Sequence, residues 1–211
     1  MNAIEGFVLA GGQSRRMGRN KAEILLGGVT LVERAVNVLA AIAEPVCVVG
    51  NFAGGYDSRP VIKDQFLGSA QHGALIGLYT ALVHARSEWI AILACDLPLV
   101  NSDLLTRMVS LCGEFGRDSN ETVDAILARQ PDGRIQPLCG LYRVRACLPH
   151  VKIMLSENNW RLQDLIAHVT THTIEFSMYS DIDGAKNCFL NVNTPEDLQT
   201  AASLVSRGIQ L

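Results

Sequence analysis

The segment from residue 9 to residue 21, LAGGQSRRMGRNK, combines glycines with cations in a pattern that suits phosphate binding. The Gly11-Gly12 pair frees the backbone to turn sharply and to present N–H groups to an anion. Four cations follow within seven residues, at Arg15, Arg16, Arg19 and Lys21. Long cationic side chains can neutralise a triphosphate and its departing pyrophosphate. The alternatives are a solvated basic loop or an RNA contact, but a glycine pair directly after an apolar strand favours phosphate binding.

The same segment lacks the two common nucleotide-binding fingerprints. The GxxxxGK[ST] pattern of P-loop kinases is absent, and so is the GxGxxG pattern of dinucleotide-binding proteins. No acidic residue closes the second predicted strand, where it would hold a ribose. No Ser or Cys stands in a nucleophile-elbow motif or beside an evident base. The sequence therefore disfavours a P-loop kinase, an ordinary dehydrogenase and covalent catalysis.

Asp96 is the second candidate for chemistry, because it follows an apolar run at 89–94 with only Cys95 between them. A carboxylate buried without a partner is costly, so Asp96 must meet a cation or solvent. It could hold a Mg²⁺ ion that bridges nucleotide phosphates, since Mg²⁺ is typically bound by one or two carboxylates and phosphate oxygens. The alternative is a turn-forming Asp before Pro98.

Other polar residues also follow predicted strands, at Asn51, Asp64, Asn191 and Asn193. Asp64 could instead belong to an exposed turn, and Asn193 could serve the turn before a helix. Asn191 and Asn193 flank Val192, so an extended chain would point both side chains the same way. They could donate to phosphate or help to hold the metal ion.

The elements that must position these residues alternate between short apolar strands and amphipathic helices. The predicted strands cover 7–10, 46–49, 61–62, 89–94, 123–128, 138–144, 170–176 and 189–192. The predicted helices follow a capping box at Thr30 and Glu33, span 73–83, follow a cap at Asn101, fill most of 146–169, and begin after Thr194. This alternation predicts a three-layer α/β/α sandwich with a mostly parallel, Rossmann-like sheet.

The fold class predicts where the polar residues meet. Ligands of such sheets bind beyond the carboxyl ends of the strands. The Gly11-Gly12 loop and the polar residues Asn51, Asp64, Asp96, Asn191 and Asn193 all lie at or just past such an end. The strand at 89–94 is uninterrupted and apolar, which predicts a central parallel strand that is buried on both faces. We therefore expect one binding site along a single edge of the sheet.

Composition bounds the class of protein. A chain of 211 residues with 48% hydrophobic and 18% charged residues predicts a single domain over 1–211 with a sizeable core. The net charge of -3 argues against nucleic acid held by bulk charge. The N-terminal residues lack a signal-peptide pattern, and no apolar stretch is long enough to span a bilayer. Six scattered cysteines without a CxxC read as reduced core residues, so we expect a soluble cytoplasmic protein with no membrane partner.

With these residues in hand, the chain resembles the molybdenum cofactor guanylyltransferase family. The matching segments, in the family's order, are LAGGQSRRMGRNK (9–21), GALIG (73–77), ACDLP (94–98), QPLCGLY (136–142) and LNVNTPEDL (190–198). The first segment is shared by a broad nucleotidyltransferase superfamily that includes sugar and isoprenoid enzymes. The last segment narrows the resemblance to the molybdenum cofactor branch.

The resemblance implies transfer of GMP from Mg-GTP to molybdopterin that carries molybdenum, with release of pyrophosphate. It also implies molybdoenzymes or cofactor-delivery proteins as partners. The residues carried over for guanine and phosphate contact are Leu9, Ala10, Gly11, Gly12 and Lys21. Asp64 would face the base or ribose, Asn51 falls near the family's nucleotide-binding asparagine, and Asp96 would bind Mg²⁺. The residues expected to line the active site or the pterin side are Arg16, Gly77, Asn191 and Asn193.

Three alternatives stay open from the sequence. The nearest is a cytidylyltransferase that uses CTP on the same pterin acceptor. A sugar-phosphate nucleotidyltransferase is less favoured, because it leaves LNVNTPEDL unexplained. A non-catalytic nucleotide-binding protein that delivers cofactor is disfavoured by the presence of Lys21, Asp96 and the full glycine loop. Within the main hypothesis, Lys21 and Arg16 stabilise the leaving pyrophosphate, and Mg²⁺ on Asp96 orients the α-phosphate.

Overall fold

The structure, a computed structural model, describes residues 4–11, 21–50, 59–64, 73–115 and 122–207. Within them, seven strands form one sheet in the order β5-β4-β1-β6-β8-β7-β9, and β2 and β3 form a separate hairpin. The strands are β1 Glu5–Leu9, β2 Leu25–Leu26, β3 Val29–Thr30, β4 Val46–Val49, β5 Val61–Ile62, β6 Trp89–Ala94, β7 Ala125–Arg129, β8 Ile135–Arg143 and β9 Thr171–Ile174. The α-helices are α1 Leu31–Ala40, α2 Ala74–His84, α3 Ser102–Phe115, α4 Val144–Ser156 and α5 Pro195–Ser206.

Helices cover both faces of the sheet, as the alternation of elements predicted. Strand β1 shows why, because its side chains alternate between the two faces. Val8 packs in one core with residues of α1 and α3. Phe7 and Leu9 pack in the opposite core with residues of α2 and α4. The prediction of a three-layer α/β/α sandwich is confirmed.

The predicted helix starts of α1 and α5 are confirmed in atomic detail. Thr30 caps α1, and its hydroxyl accepts from the backbone N–H of Glu33 while the Glu33 carboxylate accepts from the Thr30 N–H. Thr194 and Asp197 make the same reciprocal pair at the start of α5, with Pro195 in the first turn. These two side-chain pairs satisfy N–H groups that a helix start leaves without partners.

Two expectations about strands need correction. Strand β6 is central and buried, but only its β1 side is parallel, since β8 pairs with it in antiparallel fashion. Among the seven described strands of this sheet, β8 is the one that runs against the others. The strand predicted at 189–192 is wrong: this segment crosses the end of β6, where the Val192 N–H donates to the Asp96 carbonyl oxygen at 2.9 Å. Apolar residues there pack into a core without joining a strand ladder.

The β2–β3 hairpin is an element that the strand and helix patterns did not predict. Its turn is Gly27-Gly28, and both glycines have positive φ, at 62° and 84°. A two-residue Gly-Gly turn between strand-forming pairs, here Leu25-Leu26 and Val29-Thr30, is a recognised hairpin signal. The sequence therefore did carry the information.

In the described part of the chain, none of the helices has both the length and the apolar character that a membrane span requires.

Candidate active site

The carboxyl ends of the parallel strands are joined by backbone hydrogen bonds. The Leu9 carbonyl oxygen accepts from the Cys95 N–H at 3.0 Å, and the Ala10 N–H donates to the Val49 carbonyl oxygen at 2.8 Å. The side chains of Leu9 and Ala10 are buried. Any contact of these two residues with a ligand must therefore use the backbone that leads into the glycine loop. Their predicted binding roles stay predictions.

Lys21 and Asp96 meet at this edge, although 75 positions separate them in the chain. The Lys21 Nζ donates to Asp96 Oδ2 at 2.8 Å and to Asn193 Oδ1 at 2.7 Å. Both side chains of the ion pair are largely buried, with exposed fractions of 15% and 20%. An ammonium group has three N–H donors, and two of them have partners among the described residues. The third has no partner in the described part of the chain, so a bound anion could accept from it.

The β2–β3 hairpin and helix α5 hold this cluster in place. Lys21 begins a short 3₁₀ turn that leads into β2. Leu26 of β2 is buried in one core with Leu99, which follows Asp96, and with Val192, which precedes Asn193. The Arg34 guanidinium of α1 donates to the Leu26 carbonyl oxygen. One apolar cluster therefore lies beneath all three residues of the Lys21–Asp96–Asn193 contact.

Asp96 also satisfies a physical test for a metal ligand. Its second carboxylate oxygen, Oδ1, is buried and has no hydrogen-bond partner among the described residues. An unsatisfied buried carboxylate oxygen is expensive, and a hard cation would compensate for it. The described residues contain no group of three or more His, Cys, Asp or Glu side chains that could hold a metal ion by themselves. The donor set fits a cation that takes its other ligands from a bound phosphate and water.

Two further pairs of predicted residues lie side by side. A Cβ added to Gly11 would be 3.3 Å from Asp64 Oδ2, so the start of the glycine loop borders the Asp64 carboxylate. A Cβ added to Gly77 would be 3.2 Å from Leu9 Cδ2. Gly77 is buried in α2, and the absent side chain lets this helix pack closely on the end of β1. The contact shown for Gly77 is therefore one of packing.

Asn191 lies beside a groove of about 650 Å³. The groove is also lined by Gln130, Gln136 and Gln163 and by the basic residues Arg129 and Arg134. Asn193, two residues along the chain, contacts Lys21 instead. The short segment 191–193 thus borders both the lysine cluster and the groove.

Cys95, between β6 and Asp96, is not a nucleophile. The thiol is fully buried, and this burial, with the neighbouring Asp96 charge, raises its pKa to about 12. The thiolate is the reactive form of cysteine, so Cys95 stays protonated and inert near neutral pH.

Three predicted site residues, Gly12, Arg16 and Asn51, lie outside the described residues. Of the others, the structure brings Lys21, Asp96 and Asn193 into direct contact. Asp197 joins this cluster and was not predicted to, because its carboxylate accepts from the Asn193 N–H at 2.9 Å. The sequence signal was the capping box itself, whose acid lies four positions after Asn193.

Known proteins are similar to this chain over most of its length. A family model described as "MobA-like NTP transferase domain" matches residues 6–173. A protein of Geobacillus sp. (strain WCH70) named "Probable molybdenum cofactor guanylyltransferase" is 32% identical over 93% of this chain and 97% of its own length. A protein of Carboxydothermus hydrogenoformans with the same name is 33% identical over 98% of each chain.

Solved structures share the fold. The crystal structure of molybdopterin-guanine dinucleotide biosynthesis protein A from Archaeoglobus fulgidus superposes with a TM-score of 0.79 at 21% identity, over 97% of this chain and 100% of that one. The 2-C-methyl-D-erythritol 4-phosphate cytidylyltransferase of Thermus thermophilus superposes with a TM-score of 0.66 at 14% identity, over 98% and 100%. The similarity to solved structures shows the fold, and the family model and the similar sequences show the family. The chain belongs to the MobA-like NTP transferases and, among them, to the molybdenum cofactor guanylyltransferase family.

Proposed function

We propose that this protein transfers GMP from Mg-GTP to molybdopterin carrying molybdenum and releases pyrophosphate. The product is molybdopterin-guanine dinucleotide, whose recipients are molybdoenzymes or proteins that deliver cofactor to them, and we expect the reaction to take place in the cytoplasm. The observation that carries the proposal is the contact between Lys21 and Asp96, which joins a phosphate-binding cation to a candidate metal ligand at the carboxyl edge of the sheet. The identity of the two substrates is inferred from the family to which the chain belongs.

The chemistry needs charge neutralisation more than it needs a base. A terminal phosphate oxygen of the acceptor forms a bond to the α-phosphorus of GTP, and the bond from that phosphorus to the bridging oxygen breaks. The pyrophosphate leaves with the bonding electrons. The second pKa of a phosphate monoester is about 6, so the attacking oxygen is already anionic near neutral pH. Lys21, held by Asp96 and Asn193, directs its remaining N–H at the negative charge that grows on the pyrophosphate.

The other candidate residues take supporting roles in this proposal. Asp96 would hold Mg²⁺ through Oδ1, and the ion supplies electrostatic stabilisation of phosphate charge when bound. The backbone of residues 9–12 contacts guanine and the phosphates, and Asp64 beside Gly11 faces the base or ribose. Arg16 adds a second cation for the pyrophosphate, and Asn51 contacts the nucleotide.

The groove beside Asn191 is the proposed entry for the acceptor. Two residues of its lining, Gln130 and Gln163, carry amide groups, which can each donate and accept hydrogen bonds. A pterin offers both donors and acceptors on one ring edge, so a groove with glutamines in its lining is suited to it. In this proposal the acceptor enters beside Asn191, two residues before the Asn193 that contacts Lys21, and its phosphate approaches the α-phosphorus from that side.

Release of pyrophosphate from a nucleotide panel tests the proposal. The purified chain is mixed with molybdopterin, molybdate and Mg²⁺, and pyrophosphate is measured with GTP, CTP, ATP or UTP. We expect turnover with GTP. Lys21→Ala and Asp96→Ala should each abolish it, because each removes one half of the charge arrangement. Preference for CTP would instead assign the cytidylyltransferase activity.

A matched control removes an ion pair elsewhere. Arg107 forms a bidentate pair with Asp181 on the surface, at 2.8 and 2.7 Å, and Arg107→Ala should retain near-normal turnover. Near-normal pyrophosphate release by both Lys21→Ala and Asp96→Ala would contradict the proposal. Tight GTP binding without turnover by the unmodified chain would favour a delivery protein.

A further inference from the structure

Helix α5 begins with a capping box that extends beyond the helix. The Asp197 Oδ2 accepts from the Thr194 N–H at 2.9 Å, which is the ordinary capping contact, and also from the Asn193 N–H at 2.9 Å. The capping box of α1 is more local, because within the described residues the Glu33 carboxylate contacts only the N–H and hydroxyl of Thr30. The two boxes have the same capping chemistry. Of the two, only the α5 box also contacts Asn193, the residue whose side chain accepts from Lys21.

The charges reinforce this connection. The hydrogen bond from the Asn193 N–H lowers the pKa of Asp197, with the Thr194 groups and the nearby Lys21 charge acting in the same direction. Asp197 is therefore an anion at neutral pH, and it lies close enough to the Lys21 ammonium to interact with its charge.

From this geometry, we propose that Asp197 is a positioning residue for nucleotidyl transfer. By fixing the Asn193 backbone, Asp197 fixes Asn193 Oδ1, and this oxygen together with Asp96 sets the direction of the remaining Lys21 N–H. The inference rests on the proposed function for its effect on rate. Its structural part, the control of Lys21 by Asp197, can be measured without any turnover.

The physical reason is the flexibility of lysine. Its side chain has many rotamers, and one acceptor leaves the ammonium free to swing about that contact. Asp96 and Asn193 approach Lys21 from segments 97 positions apart in the chain, so their relative placement must be held by other contacts. The backbone of Asn193 follows Val192, which is anchored in the core and to the Asp96 carbonyl oxygen. Asp197 adds the anchor on the other side of Asn193.

Kinetics of three variants test the inference. Asp197→Ala should lower kcat by roughly 10- to 100-fold with a smaller change in KM for GTP, because a misplacement of about 1 Å can cost about 100-fold in rate. Asp197→Asn keeps an oxygen acceptor for the Asn193 N–H and should retain most of the rate. Glu33→Ala removes the equivalent acid of the α1 box, so it should destabilise the fold comparably and leave kcat near normal. All assays are run well below the lowest Tm.

Chemical labelling of Lys21 provides the readout that is independent of turnover. Each protein is treated briefly with acetic anhydride, and modification of Lys21 is measured by mass spectrometry relative to the exposed Lys152. We expect the relative labelling of Lys21 to rise several-fold in Asp197→Ala and to stay unchanged in Asp197→Asn and Glu33→Ala. If the unmodified chain shows no turnover, the proposed function fails while this labelling result still tests the role of Asp197.

A double-mutant comparison asks whether Asp197 acts through Asn193. If it does, Asp197→Ala should add little to the kinetic defect of Asn193→Ala. Additive defects would overturn the inference, because they would mean that Asp197 acts by another route. Unchanged Lys21 labelling in Asp197→Ala, or a kcat equal to that of Glu33→Ala, would overturn it as well.

Discussion

Gly77→Ala separates packing from ligand contact at a residue that was predicted to line the active site. A Cβ added to Gly77 would lie 3.2 and 3.4 Å from the two terminal methyl carbons of Leu9. Leu9 is 6% exposed and packed between the sheet and α2, so it has little room to move. We therefore expect the substitution to push the end of β1, the strand that leads into the glycine loop.

The expected size of the effect comes from two opposing contributions. Replacing Gly by Ala inside a helix stabilises it by about 0.8–1.0 kcal/mol. Overpacking of a filled core costs about 1–3 kcal/mol. Gly113 of α3 is the matched control, because a Cβ added there meets no atom within 4 Å. Gly77→Ala and Gly113→Ala should therefore differ by about 1–3 kcal/mol, with Gly113→Ala the more stable.

Thermal unfolding of the two variants measures this difference. Each kcal/mol shifts the Tm of a domain of about 150–250 residues by about 2–4 °C, so the separation should be several degrees. Leu9→Val removes a methylene at the point of contact and should partly relieve the Gly77→Ala defect, with less destabilisation in the double variant than the sum of the two. If Gly77→Ala stabilised the protein as much as Gly113→Ala, the packing explanation would be refuted.

Three further outcomes are expected. Glu5 is 9% exposed, and its carboxylate accepts from the Arg86 and Ser87 backbone N–H groups. Glu5→Ala leaves these donors without their acceptor, so it should lower the free energy of unfolding in urea by about 1–3 kcal/mol, and Glu5→Gln should lower it less. The folded chain lowers the pKa values of Glu33 and Asp197 from their ordinary values of 4.5 and 3.8. The stability that these carboxylates contribute is therefore complete above the ordinary values and is lost as the pH falls through the lowered ones. In acid denaturation curves, Glu33→Gln and Asp197→Asn should each reduce that loss. Iodoacetamide near pH 8 should label thiols slowly until urea unfolds the chain, because burial raises the pKa to about 12 at Cys95, Cys112, Cys147 and Cys188.

Local sequence signals predicted the elements that depend on local physics. The capping box at Thr30 and the N-cap at Thr194 were predicted from residues within one turn, and both are present. The part that Asp197 takes in a second capping box was not predicted. The apolar run at 89–94 predicted a buried central strand, which β6 is. The antiparallel partner of β6 was not readable, since burial on both faces is the same whether a neighbouring strand runs with it or against it.

The contacts within the candidate site were only partly predictable from the sequence. The rule that ligands bind beyond strand ends placed Lys21 and Asp96 on a common edge, and their contact agrees with it. The error at 189–192 arose because an apolar segment can pack into a core without pairing as a strand. The link from Asp197 to Asn193 depends on how the chain enters α5, and a capping pattern alone does not specify that geometry.

The central claim is that Lys21 and a Mg²⁺ ion held by Asp96 bind the same triphosphate. Calorimetric titration with GTP, performed once in the presence of Mg²⁺ and once in the presence of a chelator, tests this claim most directly. The unmodified chain should bind GTP more tightly with Mg²⁺ than without it. Lys21→Ala should bind weakly in both conditions, and Asp96→Ala should lose the difference between them. GTP affinities that remain equal in all three proteins, with the same gain from Mg²⁺, would contradict the claim.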